Sequence, residues 1–156
     1  MAKESSVFQA STRRDLARAL ALTGLFSCVV LVLGDHLYLG IWYYLAVPLA
    51  ALGLGLLCRC PPWFLTGTTI GALLTLAVYA LINAQRVEGL LALGHLFSLP
   101  GAAAGVILGA VLSRRWPGPG PAFALGLGGL LLGFAANQLV VCNTLMWCGP
   151  LSWSLA

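Results

Sequence analysis

GLLALGHLFSLPGAAAGVILGAVL, residues 89–112, decides the fold. The run contains no aspartate, glutamate, lysine or arginine. A bilayer hydrocarbon core is about 30 Å thick, and about 20 helical residues cross it. Lipid offers the backbone no hydrogen-bond partner, so a spanning segment must satisfy itself as a helix or join a closed barrel. Barrel strands alternate apolar and polar over about ten residues, whereas this stretch is continuously apolar. A membrane-spanning helix is the reading that remains.

Four similar runs follow the same logic: 16–34, 37–57, 63–84 and 121–141. The chain as a whole is 60% hydrophobic and 8% charged. Soluble domains are closer to about 45–50% apolar and about 25% charged. A chain of 156 residues fits one domain, expected to be an all-α integral membrane bundle of five transmembrane helices with residues 142–156 as a C-terminal cap. The breaks are short: GDH (34–36), CRCPP (58–62), QRVEG (85–89) and RRWPGPGP (114–121). Links of this length make consecutive helices antiparallel. No internal repeat of the transporter type is visible.

Positive charge sets the expected orientation. With a cytoplasmic N-terminus, the inner segments carry Lys3, Arg13, Arg14, Arg18, Arg59, Arg114 and Arg115, and the outer ones only Arg86. The C-terminus is then periplasmic, and a bacterial inner membrane is the expected location. Tyr38, Trp42, Tyr43 and Trp147 mark the outer interface, and Trp63 and Trp116 the inner one. STRRDL (11–16) and LFSC (25–28) only loosely match a twin-arginine start and a lipoprotein box. Asp15 and Phe26 fit those patterns poorly, so the first helix is expected to stay uncleaved. The net charge of +4 does not point to nucleic acid, because no basic stripe alternates with stacking aromatics.

Small residues four apart mark close helix contacts in lipid. Gly101, Gly105 and Gly109 form a doubled motif, Gly67 and Gly71 a second, and Gly129 and Gly133 a third. Packing inside the chain is their first expectation, and a docking face for another membrane protein is the alternative. Pro48 and Pro100 fall inside helices and are expected to bend them.

Polar side chains concentrate towards the outer half: Asp35, His36, Asn83, Gln85, Arg86, Glu88, His95, Ser98, Asn137 and Gln138. The inner half reads as oily apart from the threonines of the third run. Polar groups at membrane depth face the bundle interior or a wet cavity. The candidate binding rim is therefore Asp35, His36, Asn83, Arg86, Glu88, His95, Asn137 and Gln138. Plain interhelical bonding is the alternative for its membrane-embedded members, and solvated turns for Asp35, His36, Arg86 and Glu88.

No catalytic set emerges. No carboxylate falls inside the five runs, and H-E-x-x-H, G-x-S-x-G and phosphate-loop motifs are absent. Two histidines make no convincing zinc site without cysteines. No metal, cofactor or enzymatic role is expected. Cys58 and Cys60 read as reduced interfacial thiols and Cys28 as a buried one. Cys142 and Cys148 lie on the oxidising side and are expected to form a disulfide that staples the cap.

The functional expectation is a small non-catalytic protein that binds a membrane or periplasmic protein partner, with the lipid bilayer as its surroundings. Its most concrete form is an immunity or accessory protein against a membrane-targeting toxin. The alternative is a component of a small-solute transporter or channel with an outer-facing polar pocket.

Overall fold

The computed structural model describes residues 2–85, 91–116 and 118–144, with the side chains of 2–9 left aside. These residues form five helices and no strand: α1 (Ala2–Leu33), α2 (Ile41–Leu57), α3 (Phe64–Gln85), α4 (Leu91–Ser113) and α5 (Pro119–Thr144). Four of them hold stretches long and apolar enough to cross a membrane, namely Ala10–Leu33 and the whole of α3, α4 and α5. Helix α2 is shorter, at 17 residues, or about 26 Å at 1.5 Å per residue.

Two boundaries differ from expectation for physical reasons. Residues 37–40 do not join α2. Tyr38 and Gly40 have φ of 57° and 73°, a left-handed geometry that ends helical continuity. At the other end, α1 begins at Ala2 rather than near residue 16. The segment AKESSVFQASTRRD contains no glycine or proline to interrupt it.

Helix α3 is the axis of the bundle and touches all four other helices. Half of its most apolar window is buried, against 17% for α1, which among the described residues packs on α2 and α3. The face α1 offers them is a row at four-residue spacing: Asp15, Ala19, Thr23 and Ser27, all buried. Small and short polar groups there let the helices approach closely.

The tightest seam joins α4 and α5, which run antiparallel. A methyl group on Gly101 would overlap Asn137 and the Gly133 carbonyl, and one on Gly105 the Gly129 carbonyl. A methyl on Gly109 would lie 2.6 Å from the Leu125 carbonyl oxygen. Gly129 and Gly133 meet the Gly105 and Gly101 carbonyls in return. Gly67 meets Phe123, Gly71 meets Leu127 and Leu130, and Gly126 meets the Phe64 carbonyl. All seven glycines singled out in the sequence are thus used inside the chain, and Gly126 joins them. The stripe of α4 is covered by α5 rather than offered as a docking face.

Pro48 and Pro100 both sit inside continuous helices. The apolar core gathers Tyr44, Phe64, Leu65, Leu76, Val106 and Ala110 around α3.

Candidate functional site

The two ends of the bundle hold different polar chemistry. At one end, Asp35 builds the α1–α2 turn. Its Oδ1 accepts from the Leu37 amide at 3.0 Å and the Tyr44 hydroxyl at 2.8 Å. Its Oδ2 accepts from the Gly40 amide. The Asn83 side-chain amide, from the last turn of α3, donates to the His36 carbonyl. A turn fixed at four points leaves His36 exposed and holds Tyr38 and Trp42 outward, 76% and 78% exposed.

One helical turn below, His95 is fully buried. Its Nδ1 lies 2.7 Å from the Tyr43 hydroxyl, and its Nε2 lies 3.1 Å from Thr75 Oγ1. The Thr75 hydroxyl donates its single proton to the Ala72 carbonyl, at 2.8 Å. Thr75 must therefore accept from Nε2–H, which leaves Nδ1 to accept from Tyr43. In a neutral imidazole this chain of donors selects the Nε2–H tautomer. Tyr43, Tyr79 and Phe134 close round the ring, with centroids 5.6, 5.0 and 5.0 Å away. His95 thus joins α2, α3, α4 and α5 and spends both nitrogens doing so.

Ser98 bonds the Gln138 side chain, and Gln138 donates to Cys142 Sγ at 3.3 Å. The Asn137 amide donates to the Phe97 carbonyl at 2.6 Å. These contacts tie α4 to α5. Of the expected rim, Asp35, His36 and Asn83 come together in one turn network. His95, Asn137 and Gln138 are committed to separate helix–helix bonds. Arg86, Glu88 and Cys148 lie outside the described residues, as does most of the 142–156 cap. Among the described residues, His95 is enclosed by these three rings and fully buried.

The opposite end overturns the expectation of an oily half. Asp15 lies inside the first apolar span and is 1% exposed. Its carboxylate accepts from the Leu65 and Thr66 amides at 3.0 and 3.2 Å and from the Thr66 hydroxyl at 2.5 Å. The first amides of a helix have no partner within it, and the helix dipole favours negative charge there. Helix α3 follows CRCPPW, which supplies no Ser, Thr, Asp or Asn to cap it. Asp15 performs that task from another helix. The signal was present in the sequence as an uncapped helix start and an aspartate at the foot of an apolar run.

Around Asp15 the end is basic. Arg18 lies over the Trp63 ring, 4.1 Å from its centroid, a cation–π contact. Arg114 donates to the Cys58 carbonyl at 2.5 Å. Arg13, Arg14, Arg59 and Arg115 are exposed. Cys28, Cys58 and Cys60 are free thiols, although Cys28 is exposed on α1 rather than buried. Burial, and next the charge of Asp15, push the Cys60 thiol up to about 12, so it stays protonated and unreactive near neutral pH. No group of His, Cys, Asp or Glu suited to a metal occurs among the described residues.

No family model, curated protein or solved structure matches this chain.

Proposed function

We propose that the chain is a non-catalytic, multi-pass protein of a bacterial inner membrane that recognises another protein at its Asp35 end. The most concrete form is an immunity or accessory protein that meets a membrane-targeting toxin from the periplasmic side. One observation carries the reading: the Asp35 turn holds Tyr38 and Trp42 outward on a backbone fixed by four hydrogen bonds. Rigid exposed aromatics are the usual anchors of protein interfaces, because they bury much area with little loss of rotamer freedom.

The orientation has its own support. Asp15, Arg18 and Arg114 each bond the segment around the α2–α3 turn, which gathers the arginines of three chain segments at one end. Positive charge of this kind collects on the cytoplasmic side. Helix α2 then makes the fifth span, at the lower length limit of about 17 residues. Cys142 falls on the periplasmic side. Because the other three cysteines are free thiols, Cys148 is the one partner in the chain for a bridge to it.

Photo-crosslinkers placed at Tyr38 and Trp42 in living cells test the reading. A single stoichiometric protein adduct is expected; excess co-expressed parent chain should displace it, and the Tyr38→Ala, Trp42→Ala double variant should not. In the toxin form, the same double variant should also fail to protect cells. Adducts to lipid alone would mean that the two rings serve only as an interfacial belt. The transport alternative predicts solute flux in proteoliposomes that is abolished by His95→Ala. With both His95 nitrogens occupied, no flux above empty vesicles is expected.

A further inference from the structure

The seam between α2 and α4 is closed at both ends and hollow between them. Tyr43 and His95 close it at one end, at 2.7 Å. Arg114 and the Cys58 carbonyl close it at the other, at 2.5 Å. Between these two bonds lies a cavity of about 120 Å³, floored by α3 and α5. Ala50, Leu54, Leu99 and Ala103 line its mouth and are exposed or half-buried. Thr75 is the single polar side chain in the lining, and its hydroxyl is already bonded to Ala72 and His95. Nothing in the lining calls for a polar ligand, and an apolar cavity of about 150 Å³ is known to accept a small hydrocarbon.

The cavity sits halfway along the helices. Ala103 is near the middle of α4, and Ala50 near the middle of α2. From Ala103 to Arg114 is about 16 Å at 1.5 Å per residue. That is about half of a 30 Å hydrocarbon core, the reach of an acyl chain from one leaflet to the midplane. Arg59, Arg114 and Arg115 stand at the end of the same seam, all exposed. The described carboxylate at that end, Asp15, is buried and spent on α3 amides. Positive charge at the head position and an apolar hollow at the tail position match one kind of molecule.

We propose that the α2–α4 seam binds one anionic phospholipid, its phosphate on Arg59, Arg114 and Arg115 and the end of one acyl chain in the midway cavity. Arginine donates up to five hydrogen bonds, so Arg114 holds the Cys58 carbonyl and a phosphate together. The lipid would complete a seam that the protein leaves unfilled.

The test uses the purified full chain in detergent, with phosphatidylglycerol or phosphatidylcholine added. Native mass spectrometry should show one retained phosphatidylglycerol and no comparable phosphatidylcholine adduct. Arg59→Gln and Arg115→Gln should each weaken that retention by roughly fivefold. Equal retention of the two lipids, or retention unaffected by either substitution, overturns the proposal. A phosphatidylglycerol with a diazirine at one acyl terminus provides the second measurement, on the unmodified protein. Its adducts should fall on Ala50, Leu54, Leu99 or Ala103. Adducts spread evenly over the exposed leucines of α1 and α5 would show general charge attraction and overturn the seam site.

Discussion

Helix α4 meets α5 along one face and α2 along another, and the two seams are built on opposite principles. Against α5, three glycines bring backbone onto backbone, and a side chain has no room. Against α2, two hydrogen bonds hold the ends while alanines leave a hollow between them. Lipid gives no hydrophobic drive for helix association, so contact area and hydrogen bonds must supply it. The first seam relies on backbone contact along its length, with the Ser98–Gln138 and Asn137–Phe97 bonds near one end, and the second on bonds at its two ends. One is a rigid joint, and the other is two pins with space between them.

The largest effect should come from filling the rigid joint. In Gly105→Leu the new Cβ would overlap the Gly129 carbonyl, and neither backbone can yield without parting the helices. Overpacking usually costs about 1–3 kcal/mol. Backbone overlap belongs at or above the upper end, so loss of about 3 kcal/mol or failure to fold is expected. Unfolding followed by circular dichroism in mixed detergent micelles measures it. A variant as stable as the parent would show that α4 and α5 are not locked through glycine.

That joint was legible in the sequence, because glycines at fixed spacing in three apolar runs have one common use in lipid. The interhelical hydrogen bonds were less so. His95 and Asn137 announce themselves as polar groups in apolar runs, but their partners, Tyr43 and the Phe97 carbonyl, depend on which helices are neighbours. Asp35 reads as a solvated turn residue until its three acceptor bonds appear. Asp15 was hidden for another reason. It falls one residue before the apolar run and looks like part of a charged leader, whereas its partners are amides of α3 some fifty positions later. An uncapped helix start marks unpaired amides, but the sequence does not say which distant side chain meets them. The hollow was not legible either, since the alanines that leave it are the same alanines that elsewhere allow close packing.

Removing a pin should have an intermediate effect. His95→Leu keeps the apolar bulk and deletes the bonds to Tyr43 and Thr75. Thr75 retains the Ala72 carbonyl, so Tyr43 is the group left without its partner. Interhelical hydrogen bonds in membrane proteins are worth about 0.6–2 kcal/mol, and a loss of about 1–2 kcal/mol is expected in the same unfolding assay. A loss as large as that of Gly105→Leu would mean that the α2–α4 seam depends on its bond as heavily as α4–α5 depends on contact, and the contrast would fail.

The smallest effect should come from filling the hollow. Ala103→Leu adds three carbons at the mouth of a cavity of about 120 Å³, whereas even the first carbon added at Gly105 meets backbone. The added side chain gains contacts with Leu54 and Leu99 instead of forcing helices apart. In delipidated detergent the variant should match the parent within about 1 kcal/mol, on the stable side. In phosphatidylglycerol the parent should gain thermal stability and the variant gain less, because the leucine occupies the position of the acyl terminus. If Ala103→Leu is as damaging as Gly105→Leu in both conditions, the seam is already full and α4 packs on α2 as tightly as on α5.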